Sequence, residues 1–163
     1  MFKPTTNSRA RWQSLALACV IAGSAATATT AFAGECPADK MKADAREKVD
    51  FKPVGVTDVT LGSIDLEKQP AHLKDRELRF RKLTIEPGGI VPWHSHDDRP
   101  ALIFVQQGEI VEYASNCSEP IVHKAGDIRP EVFGTSHWWK NLGTQTVILY
   151  VGDVRKDPHD HNM

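Results

Sequence analysis

This 163-residue chain lacks the motifs of several large enzyme classes. It has no Gly-rich phosphate loop, no Gly-x-Ser-x-Gly elbow and no Cys-x-x-Cys pair. Nucleotide binding, serine hydrolysis and thioredoxin-type redox chemistry are therefore without support. Lysine and arginine number 20 against 21 acids, for a formal charge of −1, and they form no basic patch. Neither nucleic acid nor an anionic membrane is expected as a partner. Aromatic residues make up only 7% of the chain, and cysteine occurs three times. Internal repeats, low-complexity blocks and, beyond the first 50 or so residues, helical periodicity are also missing.

The N-terminus reads as an address. Lys3, Arg9 and Arg11 form a positive region, and Leu15 to Ala28 is apolar or small apart from Ser24 and Thr27. Ala31-Phe32-Ala33 then presents a small-x-small cleavage pattern. Residues 1–33 are expected to be a signal peptide, cut after Ala33, and the product periplasmic or secreted. The segment is poor in leucine, so stable membrane insertion after cleavage is not expected. Cys19 lacks the bulky aliphatic residue three positions upstream that a lipoprotein needs, and Arg9 and Arg11 do not form a twin-arginine signal. The leader carries three basic residues and no acids, so the mature charge falls from −1 to about −4. The remaining 130 residues suit one domain with a modest core. Cys36 and Cys117 survive cleavage, and an oxidising compartment permits a disulfide between them; two free thiols is the alternative.

Residues 37–49 favour a short charged helix with Pro37 near its start. From Val54 the pattern becomes strand-like, with Val54, Val56, Val59, Leu61, Ile64 and Leu66 set among Gly, Thr and Asp. Gln69 to Asp75 is a loop. Leu78, Phe80, Leu83 and Ile85 describe a half-buried strand that Glu86-Pro87-Gly88-Gly89 ends in a turn. Asp97 to Pro100 makes another turn, and Ala101 to Val105 is apolar. Gln107-Gly108 turns the chain so that Ile110 to Ala114 returns as a hairpin. Ile121-Val122, Gly126-Asp127-Ile128 and Thr146 to Val151 complete the series. Turns about every eight to twelve residues mark an all-β sandwich or barrel. The expected organisation is residues 34–53 as an N-terminal segment, 54–154 as the barrel and 155–163 as a polar tail.

One constellation carries chemistry. His94 and His96 follow Gly88-Gly89-Ile90-Val91-Pro92-Trp93, and residues two apart on a strand share a face. His137 lies in a second glycine-marked segment, Gly134-Thr135-Ser136-His137. Three imidazoles converging from two strands would hold a metal. His72 and His123 read as surface or loop histidines, and His159 and His161 fall in the tail.

With Gly88, His94, His96 and Gly108 in register, this segment resembles the first motif of the cupin superfamily. Gly134, His137 and Asn141 resemble the end of the second motif, whose start Gly126-Asp127 also matches. Pro130 comes too early, and Val132 stands where proline is usual. The likeness covers roughly residues 76 to 152. It implies a double-stranded β-helix, or jelly-roll, barrel with a short N-terminal helix and a divalent transition metal at the mouth: iron, manganese, nickel, zinc or copper, which imidazole does not distinguish. A homodimer is likewise implied. The family's glutamate position holds Ala101. Three readings follow: a neutral three-histidine site, as some cupin-like dioxygenases use; Asp98 as a substitute carboxylate; or a barrel that has lost its metal.

By strand parity Trp139, Ala101, Ile103 and Val105 are expected to line the pocket, with Tyr113 offering a hydroxyl. Trp93 and Trp138 face outward, and Phe104 and Phe133 are expected in the core. Asp98 and Glu112 are the candidates for an acid or base. The chain thus reads as an exported metal-binding cupin, a dioxygenase or related oxidoreductase on a small-molecule ligand. The alternative is a non-enzymatic cupin that binds or senses a metal or small molecule.

Overall fold

The computed structural model describes residues 34–156. The expected leader and the tail from Asp157 on, including His159 and His161, lie outside the described residues. Eight strands follow one another: β1 (Val54–Asp65), β2 (Glu77–Ser95), β3 (Ala101–Gln107), β4 (Glu109–Ala114), β5 (Ile121–Lys124), β6 (Ile128–Glu131), β7 (Ser136–Lys140) and β8 (Val147–Arg155). They form one antiparallel sheet in the order β5-β4-β7-β2-β8-β3-β6, with β1 on β2. Its two end strands, β5 and β6, are consecutive in the chain and joined by only Ala125, Gly126 and Asp127. So short a link forces the sheet to curl until its ends meet. Backbone bonds from Gly126 N to Val105 O and from Val105 N to Asp127 O hold this link against β3. Among the described residues no helix is long and apolar enough to cross a membrane.

The curled sheet encloses Leu83, Ile85, Val105, Ile110, Trp139 and Leu149, each at most 3% exposed. Alternation with exposed residues is regular along β3, where Ala101, Ile103 and Val105 point in and Leu102 and Phe104 point out. Phe104 (41% exposed) and Phe133 (80%) are therefore surface residues, not core. Parity decides the first, and the second lies in the β6–β7 loop.

Three local expectations are corrected. Glu86-Pro87-Gly88-Gly89 does not end a strand: β2 runs through it for 19 residues. It bends there and changes partners, from β8 along Glu77 to Ile85 to β7 along Ile90 to Ser95. Gly88 takes φ +78, and a Cβ on Gly89 would come within 2.7 Å of Ile85 Cγ2, so glycine is required at the bend. Asn141 fastens it, donating from Nδ2 to the carbonyls of Ile85 and Glu86 at 3.1 Å. Gln107-Gly108 makes no hairpin either: β3 pairs with β6 and β8, whereas β4 pairs with β5 and β7.

The helix expected over 37–49 shrinks to a single 3₁₀ turn, Ala38–Lys40. Tertiary bonds hold the following backbone out of a helix, with a turn at Ala43-Asp44 between them: Lys42 N donates to Asn116 O and Ala45 N to Ser115 O. Cys36 and Cys117 are joined in a disulfide across 81 positions, which ties this segment to the end of β4.

Candidate metal centre

His94 on β2 is the direct cross-strand neighbour of His137 on β7, and His96 follows two residues on, so all three rings meet inside one end of the barrel. Their exposures are 8%, 2% and 0% for His94, His96 and His137. Each Nδ1 faces an oxygen: Pro92 O at 2.9 Å, Arg99 O at 2.7 Å and Glu112 Oε1 at 2.7 Å respectively. A carbonyl or carboxylate oxygen there requires the nitrogen to donate, so each ring carries its proton on Nδ1. The three Nε2 atoms are then bare lone pairs. His137 Nε2 lies 3.0 Å from both His96 Nε2 and His94 Nε2. Lone pairs turned on one another in a buried site call for a cation, and neutral imidazoles are the donor set a divalent transition metal accepts. Trp139 Nε1, 3.3 Å from His137 Nε2, is the one N–H donor aimed at the cluster among these contacts.

Strand register explains a second layer behind the histidines. Ala114 is opposite His137, which places Glu112, two residues back on the same inward face, diagonally within reach. Glu112 is fully buried, accepts from His137 Nδ1 and from His123 Nε2 at 2.8 Å, and lies 3.2 Å from Arg129 Nε. Burial alone would raise the Glu112 carboxyl, but these donors hold it well below the usual carboxylate range. Glu131 on β6 is also buried. Burial and then the charge of Glu112 push its carboxyl well above that range. Burial lowers all three histidines, helped at His94 and His96 by the neighbouring rings, and brings His96 to about 4.

A small cavity of about 20 Å³ lies beside His94 and His96, walled by Arg81, Val91, Ile103 and Trp139 among others. Trp139 and Ile103 thus stand where parity put them, and Ala101 and Val105 are buried in the same core. Tyr113 does not line the pocket. It lies on the opposite face from Glu112, stacked on Trp138 at 4.1 Å with Arg46 over its ring. Asp98 is likewise distant in role: the 97–100 turn carries it outward to pair with Arg76 at 2.6 Å. Glu112 is present, but behind His137 and not in the cavity. His123, expected near the surface, is fully buried as the second donor to Glu112. Glu131 and Arg129 escaped sequence reasoning. Their signal was an inverted alternation in β6, where Ile128 and Pro130 point out while Arg129 and Glu131 point in.

A curled antiparallel barrel with a histidine cluster at one end defines the class, and the family follows from comparison. Residues 81–152 match the family model for the cupin domain. This chain carries a domain of the cupin superfamily. No curated protein matches it. A protein from Thermotoga maritima described as a predicted oxalate decarboxylase is 21% identical, with 64% of this chain and 90% of that one covered at a TM-score of 0.50. A Klebsiella pneumoniae protein with a double-stranded β-helix domain is 20% identical, covering 69% and 84%, at 0.48. The cupin domain of Schizosaccharomyces pombe Cnp3 is 15% identical at 0.48; the match covers 66% of this chain and 65% of that one, just under two thirds of its length. At such identities the likeness concerns the fold alone.

Proposed function

We propose that this chain is an exported metal-binding cupin in which His94, His96 and His137 hold one divalent transition metal through Nε2. Its chemistry is that of an oxygen-using oxidoreductase acting on a small anionic or hydroxylated substrate. The observation that carries this is the convergence of three Nε2 lone pairs, with His137 Nε2 3.0 Å from each of the other two and each ring fixed by an acceptor at Nδ1. When bound, the metal supplies Lewis-acid polarisation and, where redox-active, electron exchange with its ligands. The chain's own part is to hold the rings in one tautomer and keep bulk water out. Pro92 O, Arg99 O and Glu112 do the first; Val91, Ile103, Leu149 and Trp139 do the second. Export is supported by the leader pattern and by the Cys36–Cys117 disulfide. A homodimer is supported by apolar side chains left open on β1 and β2, including Val59, Leu61 and Phe80.

A second reading has its own observation. The cavity has room for about one water, and no free acid or base lines it, which suits a cupin that binds a metal or small ligand without turnover. Elemental analysis and oxygen uptake separate the two. The enzyme reading expects about one redox-active metal per chain and oxygen consumption with some small acid or diol. The binding reading expects the metal without consumption. His94→Ala lowers the metal content in both; unchanged content in that variant removes the metal reading altogether.

A further inference from the structure

The family's carboxylate position holds Ala101, and the structure shows what stands next to it. In the β3–β6 ladder, Ala101 is the direct partner of Glu131. Directly opposed side chains on a sheet leave the same face with their Cβ atoms about 5 Å apart, so a glutamate on β6 can reach the space that a residue at 101 would fill. Resting on the three-histidine reading above, we propose that Glu131 enters the metal's coordination shell and supplies from β6 the carboxylate that β3 has lost.

Three observations support it. Glu131 is 1% exposed, yet neither of its oxygens has a hydrogen-bond donor. Buried carboxylates are acceptors that native structures otherwise satisfy. Its Oε2 lies 4.0 Å from His96 Nε2 and 3.5 Å from His137 Nδ1. Atoms that share a transition metal at about 2.1 Å sit roughly 3 to 4.2 Å from one another; the distance to the ligand atom His96 Nε2 falls in that range, whereas His137 Nδ1 is the nitrogen of that ring turned away from the metal. Finally, two buried carboxyls share one guanidinium. Glu112 and Glu131 are both buried, and the guanidinium facing them is Arg129, whose Nε is 3.2 Å from Glu112 and 3.5 Å from Glu131. Glu112 has its oxygens committed to His123, His137 and Arg129. Glu131 is the carboxylate left to give. A shell so completed carries one negative ligand, which strengthens metal binding and lowers the charge presented to an anionic substrate.

The test uses Co²⁺, whose visible spectrum reports its ligand set, on the full mature chain. Affinity is measured by competition with a chromophoric chelator for the wild type, Glu131→Gln, Glu131→Asp, His94→Ala and the double variant Ala101→Glu/Glu131→Gln. Both substitutions at 131 are expected to weaken Co²⁺ binding by about tenfold or more and to alter the spectrum, because one removes the ligand and the other shortens its reach while keeping the charge. The double variant is expected to recover affinity by restoring a carboxylate from the adjacent strand, and it carries the test should Glu131→Gln not fold. Wild-type affinity and spectrum in Glu131→Gln, or weakening with an unaltered spectrum, overturn the assignment; if His94→Ala still loses the metal, the three-histidine site stands without Glu131. Full binding in His94→Ala as well removes both.

Discussion

Glu112 offers the sharpest test of how the histidine cluster is held. Its carboxylate accepts from His137 Nδ1 at 2.7 Å and His123 Nε2 at 2.8 Å, with Arg129 beside it, all in a site closed to water. Glu112→Gln keeps the shape but leaves one carbonyl oxygen and turns an NH₂ group on a ring N–H. One charge-assisted bond is lost at about 1.5–3 kcal/mol, and a buried donor goes unmatched at about 1–3 kcal/mol. Relief from burying a charge offsets part of this, leaving a net loss of about 2–4 kcal/mol. For a domain of this size that lowers Tm by about 8–16 °C. The strain can be relieved if His137 moves its proton to Nε2, but that proton then points into the triad. Metal affinity should therefore fall as well, by about 10–100-fold. The assay is urea unfolding of metal-free protein followed by tryptophan fluorescence, since Trp139 is buried against His123 and His137. Asp98→Asn, on an exposed surface pair, is the control and should stay within about 0.5 kcal/mol. A Glu112→Gln midpoint equal to the control's would refute the reasoning.

Further outcomes follow from other parts of the barrel. Reducing the Cys36–Cys117 bridge, which spans 81 positions, should cost about 4 kcal/mol by chain entropy; identical melting with and without reductant contradicts this. Asp153→Asn leaves buried Arg79 without its carboxylate partner and should cost about 3–5 kcal/mol, checked by thermal melting; a loss under about 1 kcal/mol speaks against it. Folded His94, His96 and His137 resist protonation, with His96 near 4 against an ordinary 6.5. Between those values the unfolded chain takes up protons that the folded chain does not. Glu131, whose carboxyl is raised, works in the opposite direction, but three rings outweigh one carboxyl, so stability of the metal-free protein should decline from about pH 6.5 toward pH 4, and a flat urea midpoint across that window would count against the buried neutral rings.

The sequence disclosed the fold because strand parity and glycine spacing are local signals. Ala101, Ile103 and Val105 alternate cleanly with outward neighbours, and His94, His96 and His137 keep their register. Where partners are chosen at a distance, local reading failed. The Gly88-Gly89 bend looks like a turn, because glycine pairs serve both, and only the switch from β8 to β7 tells them apart. Gln107-Gly108 looks like a hairpin for the same reason. The helix expected over 37–49 lost to tertiary bonds and a disulfide, which propensity does not see. Charged residues in a four-residue strand read as surface, so Arg129 and Glu131 were passed over; closure of the sheet turns them inward. His123 was missed because its partner, Glu112, is 11 residues away on the neighbouring strand.

The central claim is that His94, His96 and His137 share one metal ion. Anomalous diffraction from crystals of the protein isolated from its own compartment tests it most directly. The account predicts a single peak about 2.0–2.2 Å from all three Nε2 atoms. No peak, or a peak among Glu112, Glu131 and the Nδ1 side of His137, where a second group of ligand-type atoms also gathers, would contradict it.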